Sequence, residues 1–347
     1  FSSKSPFYIH PRLDYKLLQW CLLFFKSANE KQVQRAIPYL KNLSLLSKAL
    51  YLDFNEEHPE AALALQKKGL MMVYQTEAME KEEVEFAYLA RKYGFEAEIL
   101  SPSDLKTIEP NLELKARGAV LFPGDAHLDP GALYGFLKKY LEGKGVKFLT
   151  NTQVLGFEKT ASKVTAVVTD QGKTEAEKVI LCGGSWSAEL AKMLGFSLPM
   201  MGGKGYSFLQ KNRPEIKQAA ILTEQKVAVS PYGETIRFGG TMEIAGTNQK
   251  VDMKRVQGIF ESINRYYPEF ESTFPEEKNI WKGLRPCSPD GLPYIGFAPN
   301  LTNVLVGSGH SMMGISLAPA TGKLLAELHQ AKETSMEIQG FEAGRFN

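Results

Sequence analysis

The chain has 347 residues, which at roughly 150 residues per domain sets an expectation of about two domains, each able to bury a core. Hydrophobic residues make up 44% and charged residues 23%, with 30 Gly and 18 Pro, which excludes disordered, collagen-like and low-complexity chains. The 41 basic and 39 acidic residues leave a net charge of +2 and no broad field for gripping phosphate backbones, so nucleic acid is not an expected partner.

The opening Phe1-Ser2-Ser3-Lys4 has no Met and no signal-peptide pattern, and is expected to be internal to a longer chain. Helices are expected at 14–27 and 31–52, where apolar residues recur at three and four. Residues 17–25 form the longest apolar run, flanked by Lys16 and Lys26 and far short of the roughly 20 residues that span a bilayer. They are expected to form a buried helix, with the interfacial alternative keeping a peripheral contact on the inner face of a membrane open. A strand at 69–74, a helix at 80–94 ending on Gly94, a strand at 118–122 and a turn at 123–125 follow. Asp129 as N-cap and Pro130 at the first helical position then start a helix running to about Gly143.

Next come a strand at 146–149, a hairpin from 154–158 and 164–169, and a continuous apolar strand at 177–182 suited to the middle of a parallel sheet. Gly183-Gly184-Ser185-Trp186-Ser187 lies between that strand and a short helix reaching Leu194. Glycines there let the backbone turn sharply and approach a ligand, and the helix start offers unpaired N–H groups to an anion. From 199 the pattern changes to antiparallel strands at 205–209, 220–222, 227–230 and 236–240, then a helix at 252–266. The last part holds Trp281-Lys282-Gly283-Leu284-Arg285-Pro286, a Pro289-Asp290-Gly291 turn, a strand at 304–306, Gly307-Ser308-Gly309-His310 and a helix from about Gly314 to Leu328.

Cys21, Cys182 and Cys287 form no CxxC pair and have no His spacing. They indicate neither a disulfide framework nor a metal site, and fit a reducing, cytoplasmic location. The guanidinium of Arg285 matches a carboxylate with two parallel hydrogen bonds, whereas a lone arginine of this kind can equally be a surface ion pair. The amides at Met313, Gly314 and Ile315 suit negative charge on a ring carbonyl or phosphate.

The stretch GLRPCSPDGLPYIGFAPNLTNVLVGSGHSMMGISLAPATGKLLAEL resembles the C-terminal FAD-binding signature of the D-amino-acid oxidase superfamily, nearest its D-amino-acid dehydrogenases and glycine oxidases. PFYIHPRLDYKLLQW, GDAHLDPGAL, VILCGGSWSAELA and KVAVSPYGETIRFGGTMEIAG agree in the same order, the last resembling the dehydrogenase branch. The resemblance implies an α/β fold: a FAD-binding Rossmann-like domain, lacking its first βαβ, interleaved with a mixed, largely antiparallel substrate domain. Residues 1–116 and 199–280 are expected in the substrate domain, 117–198 and 281–332 in the FAD domain, and 333–347 as a tail. It also implies oxidative deamination of D-amino acids with FAD as cofactor, an imino acid going on to a keto acid and ammonia. A secondary-amine oxidase or dehydrogenase, acting on proline, hydroxyproline, sarcosine or glycine, shares the scaffold. A non-catalytic or split fragment is the alternative outside enzymology.

By residue, the resemblance implies that Arg285 binds the substrate carboxylate, with Tyr206 and His127 as further substrate contacts. For His127 the alternative is a histidine that fixes the turn before Asp129, and for Tyr206 it is packing. Val154 is implied beside the adenine, Gly183, Gly184 and Trp186 at the turn that passes the cofactor, and His310, Ser311, Met312, Met313, Gly314, Ile315 and Ser316 around the flavin ring. No catalytic side chain and no metal are implied. The strand and Gly-x-Gly-x-x-Gly turn that cradle the FAD pyrophosphate in such proteins are not in this sequence. The resemblance therefore implies a missing N-terminal FAD-binding segment or partner, and weak FAD binding by these residues alone. Ala228 and its neighbours stand where glycine oxidases tend to carry an aromatic residue, which argues against glycine as substrate.

Overall fold

The structure, a computed structural model, describes residues 7–9, 14–244 and 246–346. In chain order its first half comprises β1 (Phe7–Ile9), α1 (Tyr15–Ser27), α2 (Glu30–Glu57), β2 (Leu70–Tyr74), α3 (Glu77–Lys92), β3 (Glu98–Leu100), α4 (Pro102–Ile108), β4 (Gly118–Phe122) and α5 (Pro130–Gly143). There follow β5 (Val154–Thr160), β6 (Lys163–Thr169), β7 (Gly172–Glu175), β8 (Val179–Leu181), α6 (Ser187–Leu194), β9 (Met201–Lys211), β10 (Ala220–Leu222), β11 (Val227–Tyr232) and β12 (Thr235–Ile244). The last elements are α7 (Met253–Tyr266), β13 (Trp281–Cys287), β14 (Tyr294–Phe297), β15 (Val304–Ser308) and α8 (Gly314–His329).

Three sheets organise these elements. The large one runs β13-β9-β12-β11-β10-β2-β4-β3, with β1 added in parallel to the far end of β12. Its strands are antiparallel except where β10 meets β2 and β1 meets β12. The second, β14-β15-β8, joins β15 to β8 in parallel, and the third is the meander β5-β6-β7.

Alternation decides which face of the large sheet is core. On β12, Ile236 and Phe238 are fully buried against α7, whose Val256, Ile259, Ile263 and Tyr266 recur at the spacing of one helical face. Arg237 and Gly239 consequently point to the other face. Asp252 caps α7 by accepting from the Lys254 amide, and Asp129 caps α5 as the sequence predicts. The small mixed sheet β14-β15-β8 is buried between α8 and the side of α6, and α2 lies along α8, sharing Leu43, Leu317, Ala320 and Leu324.

Several expectations are corrected. Residues 146–149 form no strand: Val146, Phe148 and Leu149 are 45%, 43% and 65% exposed, and no described strand lies beside them to pair with their backbone. The strand expected at 177–182 shrinks to β8 and lies at an edge of its sheet, because only β15 pairs with it among the described residues. Helix α1 is buried along one stripe only: Leu17 and Trp20 are covered, whereas Tyr15, Leu18, Leu22 and Phe25 face outward. Helix α2 passes through Pro38 to Glu57, and α4, with a Ser101–Asp104 capping box, escaped the pattern reading. β4 pairs with β2 and β3, and β13 with β9, so the large sheet takes in strands from 117–198 and 281–332. The segment Phe1 to Lys4 lies outside the described residues.

Candidate active site

The site begins with two glycines on β9. Residues 203, 205 and 207 share one face of the strand; the Arg285 side chain lies over Gly205, while Met242 and Cys287 fill the space over Gly203. A Cβ on Gly205 would stand 2.0 Å from Arg285 Nη1. Nη1 also donates to the Thr241 carbonyl at 2.7 Å. That carbonyl is turned toward the arginine by a bulge between Gly240 and Glu243, where Thr241 adopts a left-handed φ of 66°. Arg285 is mostly covered and no carboxylate lies within ion-pair distance of it among the described residues; burial holds its pKa below the ordinary arginine value.

The strand carrying Arg285 also draws in the other elements of the site. The Cys287 backbone bridges to His310, its carbonyl accepts from Trp20 Nε1 at 2.9 Å, and its thiol is 3.6 Å from Ser311 Oγ. Ser185 Oγ reaches the Leu284 carbonyl, and Ser308 Oγ donates to the Gly184 carbonyl at 3.1 Å. Gly183, Gly184, Arg285, His310 and the start of α8 are thus tied into one neighbourhood. Trp186, Met312, Met313 and Ile315 are 43%, 66%, 47% and 48% exposed around it.

Helix α8 is anchored from outside. Pro319 has no N–H for the Ile315 carbonyl four residues back, and Tyr51 Oη supplies the missing donor at 2.7 Å; Ser47 Oγ donates to the Ser316 carbonyl at 2.6 Å. Desolvation pushes the Tyr51 phenol up to about 12, so it remains a donor. Sequence reasoning missed both residues; Ser47 inside the apolar stripe of α2 was the available signal.

His310 Nε2 lies 2.9 Å from Thr321 Oγ1, which itself donates to the Leu317 carbonyl. Nε2 therefore carries the proton and Nδ1 keeps its lone pair. Burial pushes His310 down to about 4. Between that value and the unperturbed value of roughly 6.5, the unfolded chain binds a proton that the native chain refuses. His310 thus costs nothing above that window and destabilises as pH falls through it, by about 2 kcal/mol at pH 5. Denaturant unfolding at pH 7 and pH 5 should show a smaller loss in His310→Gln than in the wild type.

The helix starts bear on a cofactor. Side chains cap α1, α2, α3, α4, α5 and α7, whereas α6 and α8, whose starts lie at the glycine turn and the His310 loop, have no side-chain cap. The Trp186, Ser187 and Met313 amides already donate to the carbonyls of Gly183, Gly184 and His310, so it is the other first-turn amides that suit an anionic or carbonyl-bearing ligand. Gly184, at a φ of 54°, has nothing within 4 Å of where a Cβ would project. This open glycine turn and the uncapped starts fit a flavin nucleotide.

The other predicted residues divide. Tyr206 is one residue out of phase with Gly205, so it points through the sheet to the opposite side, where its hydroxyl donates to Glu243 Oε2 at 2.9 Å. It lies in the core and away from Arg285. His127 Nε2 donates to the Pro231 carbonyl at 3.2 Å, its ring stands beside Tyr232, and its backbone pairs with Gln66 at the turn before Asp129. Val154 opens β5 in the separate meander, paired with Thr169. Gly205 and Thr241, which position Arg285, were missed because a glycine on a strand carries no sign of what fills its place.

Residues 13–328 match the family described as DAO, FAD dependent oxidoreductase. The chain belongs to this family of FAD-dependent oxidoreductases. Among its relatives, a D-amino acid dehydrogenase of Helicobacter pylori is 30% identical over 345 residues, covering 98% of this chain and 82% of the relative. A D-amino acid dehydrogenase of Granulibacter bethesdensis is 26% identical, covering 99% and 82%. Among solved structures, a glycine oxidase from Geobacillus kaustophilus superimposes with a TM-score of 0.79 at 25% identity, covering 88% of this chain and 83% of that one. An L-proline dehydrogenase from P. horikoshii, at 20% identity and a TM-score of 0.74, shares the fold.

Proposed function

We propose that the chain oxidises D-amino acids at the α-carbon, giving an imino acid that water converts to a keto acid and ammonia. The observation that carries this reading is Arg285: a covered guanidinium with no acidic partner among the described residues, shaped by Gly205 and steered by the Thr241 carbonyl, is suited to a substrate carboxylate. Bound FAD supplies the hydride acceptor. The residues that would hold it are Gly183, Gly184 and Trp186 at the turn, with His310, Ser311, Met312, Met313, Gly314, Ile315 and Ser316 at the second helix start, and Val154 toward the adenine.

Arg285 fixes the carboxylate, and thereby the orientation of the α-hydrogen. The amides starting α8 favour negative charge on the ring. His310, kept neutral, adds no positive charge at physiological pH. No side chain is assigned as base, since the amine can arrive neutral. The D-amino acid dehydrogenases among the relatives support this substrate class. The test is anaerobic bleaching of the FAD-loaded enzyme with D-amino acids, L-amino acids, glycine, sarcosine and proline. Bleaching by primary D-amino acids is expected; bleaching by secondary amines alone would replace the reading.

No helix among the described residues is long and apolar enough to cross a membrane. The outward stripe Tyr15, Leu18, Leu22 and Phe25, flanked by Lys16 and Lys26, supports a peripheral contact with an anionic bilayer face. Leu22→Asp should lower co-sedimentation of the enzyme with anionic vesicles.

A further inference from the structure

The face of β9 on which Arg285 lies over Gly205 continues through Ser207 to a second arginine. Arg237 pairs in register with Leu209, and Arg285 with Gly203; both partners are odd positions of β9, so the two arginines stand on one face of the sheet. Arg237 Nε donates to Ser207 Oγ at 3.0 Å, while Arg285 rests on Gly205. Same-face neighbours on a strand are about 7 Å apart, which sets the approximate spacing of the two guanidinium groups. Arg237 also lies 5.2 Å from the centre of the Trp281 ring, and Tyr232 and Ser230 adjoin it.

Neither guanidinium has a carboxylate within ion-pair distance among the described residues. The acid facing this end is Asp129, beyond Tyr232, and its carboxylate is engaged in capping α5. Two like charges on one face of the sheet at this spacing repel, and the cost falls when anions bind between them. A carboxylate held by Arg285 in a two-bond fork satisfies one of them. The second calls for another acceptor, and the spacing suits a group one or two methylenes from the α-carbon.

We propose that Arg237 is a specificity-determining residue that receives a carboxylate on the substrate's side chain, so that the site favours acidic D-amino acids. Ser207 and Trp281 hold its plane: one fixes Nε, and the other supports the flat face. The inference rests on the reading of Arg285 as the anchor of the α-carboxylate.

The test compares kcat/KM of the FAD-loaded enzyme for D-aspartate, D-glutamate and D-alanine, in the wild type and in Arg237→Gln. The wild type should favour one of the acids at least tenfold, and the variant should lower that preference by about 100-fold, the size of a lost charge-assisted pair. Arg237→Lys should restore part of it. Equal losses for acidic and neutral substrates would mean that Arg237 shares the α-carboxylate, and would overturn the proposal, as would a wild type that favours D-alanine. Calorimetry with succinate and propionate separates this inference from the one beneath it. Propionate binding that Arg285→Gln abolishes, with a succinate preference that Arg237→Gln leaves in place, would uphold the anchor and reject the second site. Binding of neither acid would reject both.

Discussion

Replacing Arg285 with alanine raises KM for every α-amino acid substrate by about 100- to 1000-fold, the loss expected when one partner of a desolvated charge pair is removed. The turnover number falls as well, since a carboxylate without its fork no longer orients the α-hydrogen. Folding stability should not fall, because Arg285 has no acidic partner among the described residues and its removal relieves a covered cation. That combination, kinetics lost and stability kept, distinguishes a binding residue from a structural one. Gly205→Ala should reach the same kinetic end with Arg285 still present, because its Cβ would occupy the space of the guanidinium. Steady-state kinetics and denaturant unfolding on both variants provide the check.

Asp290→Ala should cost about 3–5 kcal/mol of stability, the range for breaking one side of a buried pair. Asp290 accepts two hydrogen bonds from Arg345, Nε to Oδ2 at 2.8 Å and Nη2 to Oδ1 at 2.9 Å, and the two side chains are 7% and 9% exposed. The same guanidinium donates to the carbonyls of Leu292 and Pro293 and lies 4.0 Å from the centre of the Tyr294 ring. Without the carboxylate, a covered cation remains with only carbonyl partners. The segment it ties down leads into β14, and Gly309, just before His310, packs directly on Tyr294. The variant should therefore also hold FAD less tightly. Urea unfolding measures the first effect and flavin titration the second, and Asp290→Ala with Arg345→Met should recover part of the stability.

Local features were legible in the sequence where a side chain announces its own geometry. Asp129-Pro130 marked the start of α5, and the helices expected to reach Leu194 and to span 252–266 are α6 and α7. The Arg285 segment and the His310 loop also stood out, and the structure joins them through Cys287. Relations between strands were not legible. Whether Tyr206 or Gly205 faces the arginine depends on the register of β9 against β13, and a one-residue change exchanges the faces. Arg237 escaped for the same reason: only the pairing of β12 with β9 puts it on the face of Arg285. The residues at 146–149 had a strand's composition, but a strand also requires a neighbour.

The most direct measurement is a cycle on the FAD-loaded enzyme: anaerobic spectral titration with D-alanine and with ethylamine, its analogue without the carboxylate, in wild type and Arg285→Ala. The wild type should bind D-alanine at least 100-fold more tightly than ethylamine, and the variant should bind the two nearly equally. An undiminished preference for D-alanine in the variant would show that another group holds the carboxylate, and would contradict the account.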